Sequence, residues 1–200
     1  MLECAALNRW GEIVELLVTM DDLFPSLTSP CAEAVLLHAA EGGHKAIVDR
    51  ILATGKADLN AKSLDGMTPL AYAASKGYAD IVIQLLSTGR IEIDTEDSIG
   101  RTPLAYAVFG GHAAVVRILL STGQVDPDHR DMCGSTPLFE AAANGHEDVI
   151  RQLLAIPRAD TVSAYAEGQK ALCMAELYRQ NRISRMLEDW LTSFSCPEQQ

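Results

Sequence analysis

The tripeptide Thr-Pro-Leu occurs three times in this chain, and each copy begins 34 residues after the one before it. The copies start at Thr68, Thr102 and Thr136. A fixed period of this length is the signature of a chain that stacks one small structural unit. Such units bury their apolar side chains against their neighbours, so the period favours an elongated solenoid with a long surface rather than an enclosed pocket.

Other residues return with the same period, and they predict the structure of one unit. Thr followed by Pro is typical of a helix start, and Leu70, Ala73 and Ala74 then share one helical face. Gly77 is suited to ending that helix, and Ile81-Val82 with Leu85-Leu86 mark a second amphipathic helix. Each unit therefore reads as helix, tight turn, helix and hairpin-like finger. The glycine columns are Gly43, Gly77, Gly111 and Gly145; Gly66, Gly100, Gly134 and Gly168; and Gly55, Gly89 and Gly123.

The segment from Gly66 to Gly77 (GMTPLAYAASKG), with the two apolar pairs that follow it, resembles the ankyrin repeat. The resemblance implies an all-α repeat solenoid made of stacked helix-turn-helix units of 34 residues with short hairpin-like fingers. The version Thr-Pro-Leu-Ala-Tyr-Ala, followed by Leu-Leu-Ser-Thr-Gly, is similar to ankyrin arrays of filamentous fungi, many of which follow other domains in larger signalling proteins. The family usually has His after Thr-Pro-Leu, whereas this chain has Ala71, Ala105 and Phe139. We expect Tyr72 and Tyr106 to replace some of the packing that those histidines provide.

We predict one domain over residues 1–200, built from six units whose two outer copies are atypical because they face water on one side. The segment 19–32 is predicted to be an irregular finger, since it contains Pro25 and Pro30. The predicted units are 1–20, 33–65, 66–99, 100–133, 134–167 and 168–192, followed by a tail at 193–200.

The composition limits the kinds of partner. The net charge of −11 disfavours nucleic acid and anionic membranes, which attract clustered Lys and Arg, and it either favours a basic partner or keeps the protein soluble. No secretory signal and no apolar run long enough to cross a bilayer is present in the sequence. The five cysteines are scattered, which favours free thiols and an intracellular, cytoplasmic or nuclear location.

The sequence offers no arrangement typical of an enzyme, and we predict no catalytic residue, no metal and no cofactor. His44, His112 and His146 occupy one turn column, where a ring nitrogen commonly bonds local backbone. His129 lies among Asp126, Asp128 and Asp131, but Asp126 and Asp128 recur in the columns of Asp58 and Asn60, which favours a role in the fold. A small-molecule-binding or catalytic protein remains an alternative, and its candidate groove residues are Tyr72, Tyr106, Phe139, Glu140 and His38.

The resemblance to ankyrin repeats implies a concave binding face made of finger tips and the exposed ends of the first helices. The finger residues that match these positions are Leu64, Asp65, Met67, Ser98, Ile99, Arg101, Met132, Cys133 and Ser135. The matching helix-end residues are Ser75, Lys76, Phe109, Ala143 and Asn144, with Glu41 in the second unit.

We treat Leu64, Ile99 and Met132 as one column of apolar residues at finger tips, where a turn is usually polar. Either these residues form an interface, or each packs on the neighbouring finger. The favoured function is a non-catalytic, monomeric protein-interaction module with an unidentified protein partner on the concave face. A C-terminal array of a larger fungal signalling protein is a further alternative, because the chain begins inside a repeat.

Overall fold

The computed structural model describes residues 29–157 and 161–193. These residues form ten α-helices and contain no β-strand. The helices are α1 Ser29–Gly42, α2 Lys45–Thr54, α3 Pro69–Lys76, α4 Ala79–Ser87, α5 Pro103–Phe109, α6 Ala113–Ser121, α7 Pro137–Asn144, α8 Glu147–Leu154, α9 Thr161–Leu177 and α10 Asn181–Thr192. They pair as first and second helices of consecutive units, which confirms the predicted all-α solenoid.

The three Thr-Pro-Leu copies begin helices as predicted. Thr68, Thr102 and Thr136 are buried N-caps, and their hydroxyls accept hydrogen bonds from backbone N–H groups three residues later at 3.2, 3.3 and 3.4 Å. The proline that follows each Thr stands in the first turn, where its missing N–H costs nothing. Helix starts therefore recur with the 34-residue period.

The helices stack in two rows that share one continuous core. In the first row, α1, α3, α5, α7 and α9 contact one another in sequence, and in the second row α2, α4, α6, α8 and α10 do the same. Ala73, Ala74 and Ala107 are fully buried in the first row, and their small side chains let neighbouring helices approach closely. Ile81 and Leu85 represent the larger apolar residues that fill the second row.

The turn between the two helices of a unit is stacked on the unit before it. Gly77 has φ +77°, a backbone conformation that favours glycine. A Cβ there would also lie 2.5 Å from Nδ1 of His112, which is too close. Nε2 of His112 contacts the carbonyl oxygen of Ser75 at 3.0 Å, and His146 contacts that of Phe109 at the same distance. The imidazoles therefore bond the backbone of the preceding unit rather than the local backbone that the sequence suggested. Tyr78 fills the equivalent slot against Gly43.

Side chains at the bases of the fingers tie each finger to the next. Oδ1 of Asn60 accepts a hydrogen bond from the N–H of Glu92 at 2.9 Å, and Oδ2 of Asp94 accepts one from the N–H of Asp126 at 2.9 Å. Asn60 and Asp94 occupy the same position in consecutive units. This repeated bond keeps successive fingers in register.

The C-terminal unit departs from the prediction. Gly168 was expected in a finger glycine column, but it lies inside α9, where a Cβ would be 2.6 Å from the Trp190 ring. The predicted unit boundary at 167/168 therefore falls within a helix, and α9 occupies sequence that a fourth finger would need. Helix α1 begins at Ser29, so the end of the predicted irregular segment 19–32 is helical. The predicted unit 1–20 and residues 194–200 of the tail lie outside the described residues.

Glu167 connects α9 to the preceding unit in place of a finger. Its carboxylate is buried, accepts a hydrogen bond from the Thr136 hydroxyl at 3.2 Å, and pairs with Lys170 at 2.9 Å and with Arg130. Burial alone would raise the pKa of the Glu167 carboxyl, but the bonds from Lys170 and Arg130 outweigh burial and hold its pKa below the usual value. The charged form of Glu167 therefore stabilises the C-terminal end of the array.

Substituting Glu167→Gln should lower the free energy of unfolding by about 1–2 kcal/mol at neutral pH, since it removes charge-assisted hydrogen bonds whose basic partners are half exposed. A depressed carboxyl pKa contributes stability above the unfolded-state value near 4.5 and loses it as the pH falls through the folded-state pKa. Urea unfolding of both proteins should thus show a difference at pH 7 that shrinks in acid. A difference that is constant with pH would contradict this assignment.

Candidate functional site

The finger tips at 97–101 and 131–135 are tight turns, each held by the carboxylate of its first residue. Oδ1 of Asp97 accepts hydrogen bonds from the N–H groups of Ile99 at 2.9 Å and Arg101 at 2.8 Å. Asp131 does the same for Cys133 and Ser135, both at 2.9 Å. An aspartate that bonds the backbone two residues ahead is a common turn device. The tip backbone is therefore fixed without any help from the tip side chains.

Neighbouring tips are joined through their backbones. The N–H of Ser98 donates to the carbonyl oxygen of Asp65, and the N–H of Met132 donates to that of Ile99, both at 3.1 Å. These bonds correct the predicted apolar column: Ile99 occupies the position of Asp65, whereas Met132 occupies that of Leu64 and Ser98. Ile99 and Met132 are thus direct neighbours across two fingers, and Leu64 stands one position away in its own finger.

The apolar tip residues are exposed rather than packed on adjacent fingers. The exposed fractions are 105% for Leu64, 76% for Met132 and 46% for Ile99. Phe109, at the end of α5, is 49% exposed. These values disfavour the interpretation in which the tip side chains serve only to pack one finger on the next, and they leave apolar surface open to a partner.

The middle of this surface is built around Arg101. Its guanidinium carbon lies 5.4 Å from the centroid of the Phe109 ring and 6.0 Å from that of Tyr106, both within cation–π range. Its Nε lies 3.4 Å from Oδ2 of Asp131, which belongs to the next finger. We call the group Ile99, Arg101, Tyr106, Phe109 and Met132 the central patch.

Tyr106 connects α5 to the finger that carries Ile99 and Arg101. Its hydroxyl donates to Oδ2 of Asp97 at 2.5 Å. Burial of the phenol and this bond to a carboxylate raise the pKa of Tyr106 well above its usual value. The phenol therefore stays protonated, and its hydrogen is donated to Asp97. His38 lies in α1 rather than in the central patch, and its Nδ1 is 3.6 Å from Oε2 of Glu41.

The predicted site residues differ in exposure and in their local hydrogen bonds. Ser75 donates its hydroxyl hydrogen to the Tyr72 carbonyl at 2.9 Å, and Asn144 donates to the Glu140 carbonyl at 2.9 Å. Of the predicted set, the structure places these residues at exposed positions: Leu64, Asp65, Lys76, Ser98, Ile99, Phe109, Met132, Cys133 and Asn144. It places these at half-buried positions: Glu41, Met67, Ser75, Arg101, Ser135 and Ala143.

Three exposed apolar residues near the C-terminal end escaped the sequence interpretation. Leu177 is the last residue of α9 and Tyr178 follows it; they are 71% and 57% exposed, and Tyr165 lies about three turns earlier on the same helix. Leu177 is 34 residues after Ala143, so continuing the helix-end column by one period would have found it. Tyr165 had no such signal, because it lies where the repeat predicts a finger and the chain forms a helix.

The acidic residues near His129 are used by the fold. Nε2 of His129 contacts the carbonyl oxygen of Gly100 at 2.9 Å, and Asp131 is engaged by its own turn and by Arg101. Across residues 29–157 and 161–193, no group of three or more His, Cys, Asp or Glu side chains is placed to hold a metal ion. Within the same ranges, no helix has the length and apolar character needed to span a bilayer.

The stacked helix pairs, the capped finger tips and the exposed patch define a helical repeat protein with a surface suited to contact. The family model described as "Ankyrin repeats (3 copies)" matches residues 2–97, 36–131 and 89–165. Together these matches cover most of the chain, and the protein belongs to the ankyrin-repeat family. Members of this family generally bind other proteins and are typically non-catalytic. No curated protein matches the sequence.

The substitution Asp97→Ala should lower the free energy of unfolding by about 1–2 kcal/mol, because it removes the acceptor of two backbone N–H groups and of the Tyr106 hydroxyl. Asp65→Ala is the matched control: Asp65 lies at an exposed tip, and its loss should change stability by less than about 0.5 kcal/mol. Urea unfolding followed by circular dichroism measures both. Equal effects of the two substitutions would show that Asp97 does not hold the turn.

Proposed function

We propose that this protein is a non-catalytic interaction module that binds another protein on the predicted concave face, with the central patch at the middle of the contact. The observation that carries the proposal is the exposure of Ile99, Phe109 and Met132 around a positioned arginine. Exposed apolar side chains gathered in one place are costly for a protein in water and typically mark an interface. Aromatic residues, Met and Arg are also the types enriched in such interfaces.

The rigidity of the tips supports the same proposal. The Asp97 and Asp131 bonds hold each turn, and the Met132 to Ile99 backbone bond holds the two turns together. A surface that is already ordered loses little conformational entropy when a partner binds. The side chains between these bonds can therefore contribute most of their burial energy to affinity.

The charge of the chain supports a partner with a net positive charge. With −11 overall, the protein attracts basic molecules at long range, which accelerates encounter more than it strengthens the final contact. Cys133 and Cys173 are free thiols, which supports an intracellular location. We propose that the chain acts as a monomer there.

The test uses the double substitution Ile99→Asp and Met132→Asp on the full chain. Both side chains are exposed, so helical content should be unchanged, while partner affinity should fall by about tenfold or more through loss of apolar contact and burial of unpaired charge. Ile83→Asp is the matched control, because Ile83 is 52% exposed on α4, a helix of the second row. Immobilised proteins capture partners from a cell extract, and mass spectrometry quantifies them.

The proposal predicts a set of proteins retained by the unmodified chain and by the Ile83→Asp variant but lost by the double variant. Proteins retained equally by all three forms would place the contact elsewhere and contradict the proposed face. Circular dichroism and thermal unfolding of each variant confirm that the loss is not caused by unfolding.

A further inference from the structure

The hydrogen-bonding groups at the central patch are unevenly used. Oδ1 of Asp97 accepts hydrogen bonds from two backbone N–H groups, and its Oδ2 accepts one from the Tyr106 hydroxyl. Oδ1 of Asp131 likewise takes two backbone N–H groups, and its Oδ2 faces Arg101. Both carboxylates are therefore occupied by the fold, and neither offers an unused oxygen to a partner.

Arg101, in contrast, has hydrogen-bond donors that the fold does not use. Its Nε is directed at Asp131, but within the described part of the chain neither of its Nη atoms has a hydrogen-bond acceptor. The side chain is 26% exposed, and the Phe109 and Tyr106 rings confine the guanidinium. The arginine is thus held in place by one edge while its other donors remain available.

These donors adjoin the Phe109 ring, and two exposed apolar residues lie close in the chain to Arg101 or to its partner Asp131. Ile99 is two residues before Arg101, Met132 follows the aspartate that Arg101 contacts, and Phe109 lies under the guanidinium. A partner that covered these side chains would exclude water from Arg101. A guanidinium that loses its water needs an acceptor in exchange, and a carboxylate meets its planar pair of N–H groups best.

We propose that the partner inserts an Asp or Glu side chain onto Arg101 and covers Ile99, Phe109 and Met132 with large apolar side chains on either side of that carboxylate. This inference rests on the proposed function, which it makes specific. A partner whose net charge is positive can still carry one acidic residue at this position of the contact. Neighbouring fingers carry Met67 and Ser135 at the position of Arg101, so this arginine sets the register of the bound segment.

The test begins with a displayed library of random dodecapeptides selected on the immobilised full chain. Peptides that bind should be enriched in Asp or Glu next to Leu, Ile, Phe or Met. Arg101→Gln should weaken the selected peptides by about tenfold or more, because the charged hydrogen bonds are lost in a water-excluded site. Arg101→Lys should restore little of the affinity, since an ammonium cannot make the paired contact. Arg117→Gln, at an exposed position of α6 in the same unit, should change nothing.

A double-mutant cycle identifies the contact directly. Replacing the acidic residue of a selected peptide with its amide should cost affinity on the unmodified chain but almost none on Arg101→Gln, because the two changes remove the same interaction. Independent, additive losses would overturn the assignment of Arg101 to that carboxylate. Thermal unfolding of Arg101→Gln checks that the fingers remain folded.

The outcomes separate this inference from the proposed function. The inference is wrong if the selected peptides require Ile99 and Met132 but are not enriched in acidic residues. It is also wrong if they bind Arg101→Gln as tightly as the unmodified chain. Either result still supports the proposed interaction face. A failure to select any peptide, or peptides that bind the Ile99→Asp and Met132→Asp double variant as well as the unmodified chain, overturns both.

Discussion

Burial between neighbouring units is the interaction on which the rest of this structure depends. The first-row helices meet through fully buried alanines, and each inter-helix turn after the first described one rests on the turn glycine of the unit before it. No unit can bury its apolar side chains alone, so stability is a sum over contacts between neighbours. The fingers inherit their spacing from this stack, and the Asn60 and Asp94 bonds then hold them in register.

The candidate site follows from that spacing. Because consecutive units differ by one fixed step, the tips of two fingers and the end of α5 meet on one surface. Arg101 connects all three through Asp131, Phe109 and Tyr106. The central patch is therefore assembled from residues of different units, and its order depends on stacking rather than on any single finger.

Much of the fold could be predicted from the sequence, because the Thr caps, buried alanines and turn glycines each have one physical use at a fixed period. The failures have physical causes as well. Gly168 continues a glycine column, yet glycine is also tolerated within a helix where another helix approaches closely, as Trp190 does. The tip register was misassigned because apolar character alone does not distinguish two adjacent turn positions. The side-chain network around Arg101 could not be predicted from the sequence, since its members lie 5 to 30 residues from Arg101 in the chain and meet only in the folded structure.

The self-sufficient turns have a consequence for how such a surface can change over generations. Ser98, Ile99, Met132 and Cys133 contribute only main-chain bonds to the framework, while the aspartate before each pair holds the turn. Their side chains can consequently be exchanged at little cost to folding. Under the proposed function, selection can therefore act on recognition and on stability at separate positions, and substitution at the tips can change the partner without changing the scaffold.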